Sequence, residues 1–70
     1  MGIETIRELL LRRPFEPFAI HLSSGEVYEI RHPECVAVGK TRIYISVPED
    51  DRLVICAILH ITSVATLQSA

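Results

Sequence analysis

"EIRHPECVAV", Glu29 to Val38, sets a histidine, a glutamate and a cysteine around one proline, and its reading decides the fold. Proline has no N–H to give to a strand ladder, so Pro33 marks a bend, a bulge or an edge. Before it, Tyr28 and Ile30 share one face of a strand predicted over Glu26–Arg31; beyond it "CVAV", Cys35 to Val38, resumes an extended apolar run. The competing reading is a metal or catalytic site. Zinc needs about four convergent Cys, His or carboxylate ligands, commonly in closely spaced pairs. No CxxC or HxxxH pair stands anywhere in the chain. Residues one apart on a strand point to opposite faces, so Glu34 and Cys35 do not converge on one ion. The stretch reads as a bent strand.

Upstream, "FAIHL", Phe18 to Leu22, alternates as a half-buried strand does, and "SSG", Ser23 to Gly25, supplies a tight turn into the bent strand. The connector "RPFEPF" is stiffened by Pro14 and Pro17, with Phe15 and Phe18 expected to pin it to the core. Before it, Ile3, Ile6, Leu9 and Leu10 follow helical spacing and predict a short amphipathic helix over residues 3–12, stopped by Pro14. Glu4 falls in its first turn, Arg12 and Arg13 in its last, and a Glu8–Arg12 pair is expected one turn apart.

Downstream, "GKT", Gly39 to Thr41, turns the chain into "RIYISV", a strand with Ile43, Ile45 and Val47 on one side. "PEDD", Pro48 to Asp51, reads as an acidic surface loop and "LVICA" as a continuously apolar strand. "ILH", Ile58 to His60, makes a corner before the β-branched strand "ITSVATL". The expectation is one domain over residues 1–70: an N-terminal α-helix and five largely antiparallel strands, the second bent, closed into a small SH3-like or Sm-like β-barrel.

A 70-residue chain hides only about 60% of its unfolded surface, yet 49% of these residues are apolar. A shared interface resolves that tension, and a homo-oligomer is expected. The longest apolar run, "LVICAILHI", is too short for a membrane span of about 20 residues. The net charge of −2 argues against a strongly basic nucleic-acid binder. "MGIETIREL" lacks the blocks of a secretion signal, and Cys35 and Cys56 read as reduced thiols, so a cytoplasmic location is expected.

No catalytic, cofactor or metal residues are expected. The glycines are isolated at positions 2, 25 and 39, which leaves no phosphate loop. Cys35 and Cys56 read as small buried hydrophobes, His21 as solvent-facing, and His60 as a partly buried, hydrogen-bonded corner residue.

"PFEPFAIHLSSGEVYEIRHPE" resembles a group of short bacterial proteins of unassigned function, a likeness that extends through "LHITSV". More distantly, "FAIHLSSGEVYEI" and "LVICAILHITSV" are similar to the first hairpin and last two strands of Sm-like (Hfq-like) barrels. That resemblance implies the barrel and ring-like association through strand edges. The stretch matching their RNA-contacting loop is "VGKTRIYI", which has no Asp or Asn. The expected function is therefore a non-enzymatic binding and assembly module that self-associates. The alternatives are an Sm-like RNA binder using Lys40, Arg42 and Tyr44, with nucleic-acid binding expected to be weak or absent, and a regulatory adaptor of a larger protein partner.

Overall fold

The computed structural model describes residues 2–67. Helix α1 (Ile3–Leu11) buries Ile6 and Leu9, three residues apart on one face. It ends one residue earlier than expected, because Arg12 already takes extended dihedrals (φ −61°, ψ 140°). That removes Arg12 from the helical spacing a Glu8 pair requires, and its guanidinium instead meets Glu16 at 3.3 Å. Arg13, also past the last turn, folds back to donate to the carbonyls of Leu10 (3.0 Å) and Arg12 (2.7 Å). A cation thus still sits on the helix's C-terminal carbonyls, where the dipole favours it.

Strands β1 (Phe18–Leu22) and β2 (Val27–Ile30) form an antiparallel hairpin. Gly25 takes φ +94° in its turn, a conformation costly for any residue with a Cβ. A 3₁₀ turn, Pro33–Cys35, then leads into β3 (Val36–Val38). β3 pairs with β4 (Arg42–Val47), and β4 with β5 (Arg52–Ala57). A second 3₁₀ turn, Pro48–Asp50, joins those two, closed by Asp51 in the left-handed region. The 3₁₀ corner Ile58–His60 leads to β6 (Ile61–Thr66), which returns to pair with β1.

The chain is thus mainly β with an N-terminal helix, as its sequence implies, but the expected five-stranded closed barrel is not formed. Among the described residues six strands make two antiparallel sheets, in the orders β2-β1-β6 and β3-β4-β5, and no ladder joins them. The bent second strand is the reason. Pro33 donates nothing, the 3₁₀ turn takes three residues out of the ladder, and the halves on either side enter different sheets.

Both sheets and the helix face one core. Ile6, Phe18, Ile20, Ile30, Ile43 and Ile45 are almost wholly buried, and among the described residues no polar side chain is buried with them. Phe15 packs against Phe18 with ring centroids 6.0 Å apart, which holds the Pro-Phe connector to the core as expected. The inward faces of β1 (Phe18, Ile20) and β4 (Ile43, Ile45) supply its centre.

Ile43→Ala should destabilise the fold by about 2–5 kcal/mol, because a buried isoleucine leaves a cavity. Gly25→Ala should cost about 1–2 kcal/mol, since the space around it is open and only the backbone conformation is penalised. Urea denaturation of both variants checks this; a larger loss at Gly25 than at Ile43 would contradict the core assigned above.

Candidate functional site: two open strand edges

Backbone hydrogen bonds fix which residues each outer strand leaves unpaired. Opposed residues of an antiparallel ladder alternate between pairs that exchange hydrogen bonds and pairs that do not. The Ile58 N–H donates to the Thr41 carbonyl (2.9 Å) and Gly39 N–H to the Arg42 carbonyl (2.8 Å), which sets the phase of β3-β4-β5. By that alternation Cys56 and Val54 bond inward to β4. Leu53, Ile55 and Ala57 keep their N–H and C=O groups free at the edge. In the other sheet, Leu22 N–H donates to the Glu26 carbonyl and Leu67 N–H to the Pro17 carbonyl, both at 2.9 Å. Ser63 and Ala65 then bond to β1, and Val64 and Thr66 keep their backbone groups free.

The side chains follow the same alternation. On β5, Leu53 and Ile55 point outward and are 63% and 57% exposed, while Val54 and Cys56 point to the core. Leu59, in the corner that follows, is 88% exposed. On β6 the order is reversed: Val64 and Thr66 lie opposite the buried Ile20 and Phe18, and Ser63 and Ala65 face out. A β-bulge at His21/Leu22 displaces Thr62, whose hydroxyl donates to the His21 carbonyl (3.1 Å).

The other two outer strands are guarded. β3 has three residues and packs beside α1. β2 carries Glu29, paired with Arg31 at 2.9 Å, and charges on an edge discourage strand addition.

Of the surface grooves, one lies along the open strand β5 and another between the two sheets. One, of about 430 Å³, runs along the core side of β5 and is lined by Leu22, Ser24, Val54, Cys56 and His60. Burial, and then the charge of Glu26, push the Cys56 thiol up from its ordinary value, keeping it protonated and a poor nucleophile. The other, of about 390 Å³, lies between β2 and the end of β4, where the sheets fail to meet, and includes Tyr28, Arg31, His32, Cys35 and Arg52. Here the Tyr28 hydroxyl donates to Glu26 (2.8 Å). That hydrogen bond raises the tyrosine's pKa, with burial and the carboxylate charge adding to it. Among the described residues no group of three or more His, Cys, Asp or Glu is placed to hold a metal.

Lys40, Arg42 and Tyr44 fall where the sequence places them. Lys40 is exposed in the β3–β4 turn, Arg42 is exposed at the start of β4, and Tyr44 shares Arg42's outward face. A Cβ at Gly39 would stand 3.2 Å from the Arg42 carbonyl, a tight contact with backbone, but at an ordinary 3.5 Å from the Tyr44 ring edge. Neither cation has an ion pair among the described residues, whereas Arg31 and Arg52 are held by Glu29 and Asp50. Three placements differ from expectation, the first being His21, expected to face solvent and in fact half-buried. Cys35 is half-buried, while Cys56 is buried as anticipated. His60 is exposed, because the 3₁₀ corner turns it outward and engages its carbonyl, which accepts the Ser23 N–H (2.8 Å). What the sequence conceals is the exposed face of β5, since "LVICA" is apolar on both faces and carries no alternation to mark an outer side.

Compared with known proteins, the chain matches no family model, no curated protein and no solved structure.

Titration of single-stranded RNA should show weak binding that falls with salt, because two cations beside one tyrosine neutralise few phosphates. Submicromolar affinity, lost on changing Lys40 and Arg42 to Ala, would show instead that this face is a nucleic-acid site.

Proposed function

We propose that the chain is a non-enzymatic, cytoplasmic binding and assembly module that associates head to tail with further copies of itself. Its plan is SH3-like or Sm-like, opened between the two sheets. The observation that carries this reading is a pair of unguarded edges on one chain, β5 and β6, each six residues long. An open edge presents a row of unsatisfied donors and acceptors, and proteins that stay monomeric blunt it with charge, proline or a cover. β6 has no charged residue, and β5 has only Arg52 at its start.

Apolar surface points the same way. Fully burying a leucine or isoleucine side chain contributes about 1.5–3 kcal/mol, and more than half of that remains to be gained at Leu53 and Ile55. Because the two edges differ, a joint between them is heterologous. Each copy offers β5 to one neighbour and β6 to another, which closes into a ring or extends as a filament. Such an array would also repeat Lys40, Arg42 and Tyr44 in every copy, and avidity is what a second, RNA-binding reading requires.

Gel filtration with light scattering should give more than one chain per particle at roughly tens of micromolar, where an interface of micromolar affinity is populated. Ile55→Lys should yield a folded monomer with an unchanged circular dichroism spectrum. A clean monomer for the unaltered chain would contradict the assembly reading.

A further inference from the structure

Glu26 is a carboxylate held in place with its charge unanswered, at the wall of an apolar groove. The β1–β2 turn sets it there: Leu22 N–H donates to the Glu26 carbonyl and Gly25 N–H to the Leu22 carbonyl, both at 2.9 Å. Two hydroxyls then orient its side chain. Ser24 donates to one carboxylate oxygen (3.1 Å) and Tyr28 to the other (2.8 Å). Tyr28 stands two residues on, the spacing that returns a side chain to the same face of an extended chain. Both donors are neutral, so they fix the direction of the charge without cancelling it. A carboxylate offers about four acceptor positions, and these two bonds leave the others open. Among the described residues no cation pairs with Glu26: Arg12 is held by Glu16 (3.3 Å), Arg31 by Glu29 (2.9 Å) and Arg52 by Asp50 (3.9 Å).

The groove beside it, of about 430 Å³, is floored by Leu22, Val54, Cys56 and Ala57, and neither lysine nor arginine lines it. Small-molecule sites have this make-up: an apolar concavity of about 300–1,000 Å³ with a few polar groups that fix orientation. We propose that the groove binds a small organic cation, a primary amine on an apolar body, with its ammonium on Glu26 and its body over Val54 and Cys56. Charge selects the class. An anion would meet the carboxylate with no cation in the groove to offset it. An uncharged apolar molecule would leave the open acceptor positions of Glu26 to water. A primary ammonium carries three donors and can use those positions while the hydroxyls of Ser24 and Tyr28 hold the oxygens still. The charge already acts inside the groove. Burial and then Glu26 push the Cys56 thiol up from its ordinary value, and the hydrogen bond to Glu26 is the first cause of the raised Tyr28 pKa. The site is built by the β1–β2 turn and β5 of one chain, so it goes beyond the assembly reading and does not depend on it.

Three probes with one body separate charge from burial: phenethylamine, phenethyl alcohol and hydrocinnamate carry an ammonium, a hydroxyl and a carboxylate on the same phenylethyl group. Each is titrated into the isotope-labelled chain and followed by amide NMR shifts. The amine should give saturable shifts at Leu22, Glu26, Val54 and Cys56, half complete at about 1 mM or below. The alcohol should bind about fivefold more weakly, the factor an exposed and partly screened charge pair supplies. Hydrocinnamate should give no saturable shift at these positions. Glu26→Gln keeps the shape and an acceptor oxygen but removes the charge. It should bring the amine to the alcohol's affinity, leave the alcohol unchanged, and preserve the circular dichroism spectrum. If that variant loses its fold, the ranking of the three probes on the unaltered chain decides alone. A second readout uses Cys35→Ser, which leaves Cys56 as the one thiol. Its alkylation by iodoacetamide should slow at least about twofold as the amine fills the groove, and should not slow with hydrocinnamate. Equal affinity for amine and alcohol, amine binding that survives Glu26→Gln, saturable shifts elsewhere than this groove, or shifts still linear at roughly ten millimolar would each overturn the cation site.

Discussion

One missing backbone donor governs the arrangement of the whole chain. Pro33 has no N–H, and the 3₁₀ turn Pro33–Cys35 that it opens withdraws three residues from strand pairing. With a residue able to donate there, a strand running from Val27 to Val38 would carry one continuous ladder and tie both sheets together. Instead β2 stays with β1, β3 goes to β4, and the sheets share a core without sharing a hydrogen bond between strands. The buried isoleucines of both sheets hold that core: Ile20 and Ile30 from one, Ile43 and Ile45 from the other. The break makes β2 and β3 outer strands of their sheets, and at the opposite ends β5 and β6 carry the open edges.

The phases of those edges account for a feature of composition that packing within one chain leaves unexplained. An outer strand with one face on the core and one in water should alternate apolar and polar residues. β5 does not, since Leu53 and Ile55 face out while Val54 and Cys56 face in. In the proposed assembly a strand added at that edge lies beside β5 in the sheet, against the flanks of Leu53 and Ile55.

Where a residue's neighbours in sequence decide its conformation, the fold was legible. Alternation marked β1 and β4, helical spacing marked α1, and Gly25 and the 3₁₀ corner Ile58–His60 fell where turn chemistry put them. Closure was not legible, because Pro33 announces a bend but not its angle, and the angle decides whether one ladder continues or two begin. Arg12 shows the same limit at smaller scale: a one-residue shift in the end of α1 exchanges Glu8 for Glu16 as its partner. At the candidate site, Lys40, Arg42 and Tyr44 were readable as a cationic turn beside an aromatic. The exposed face of β5 was not, since hydrophobicity reports that a residue avoids water but not which chain covers it.

Charge has little part in bringing copies together, and distances show why. Each copy carries a net charge of −2, so copies repel weakly at long range. At physiological salt the screening length is about 8 Å, while the chain measures 28 × 27 × 20 Å, so most charges on one copy lie beyond reach of most charges on the next. The pairs that do form, Arg12–Glu16, Arg31–Glu29 and Arg52–Asp50, are local and exposed, of the kind worth about 0–1 kcal/mol each. What remains to discriminate one surface from another is short-ranged: free N–H and C=O groups in a fixed phase, and apolar side chains beside them. Those features coincide on the edge and outer face of β5.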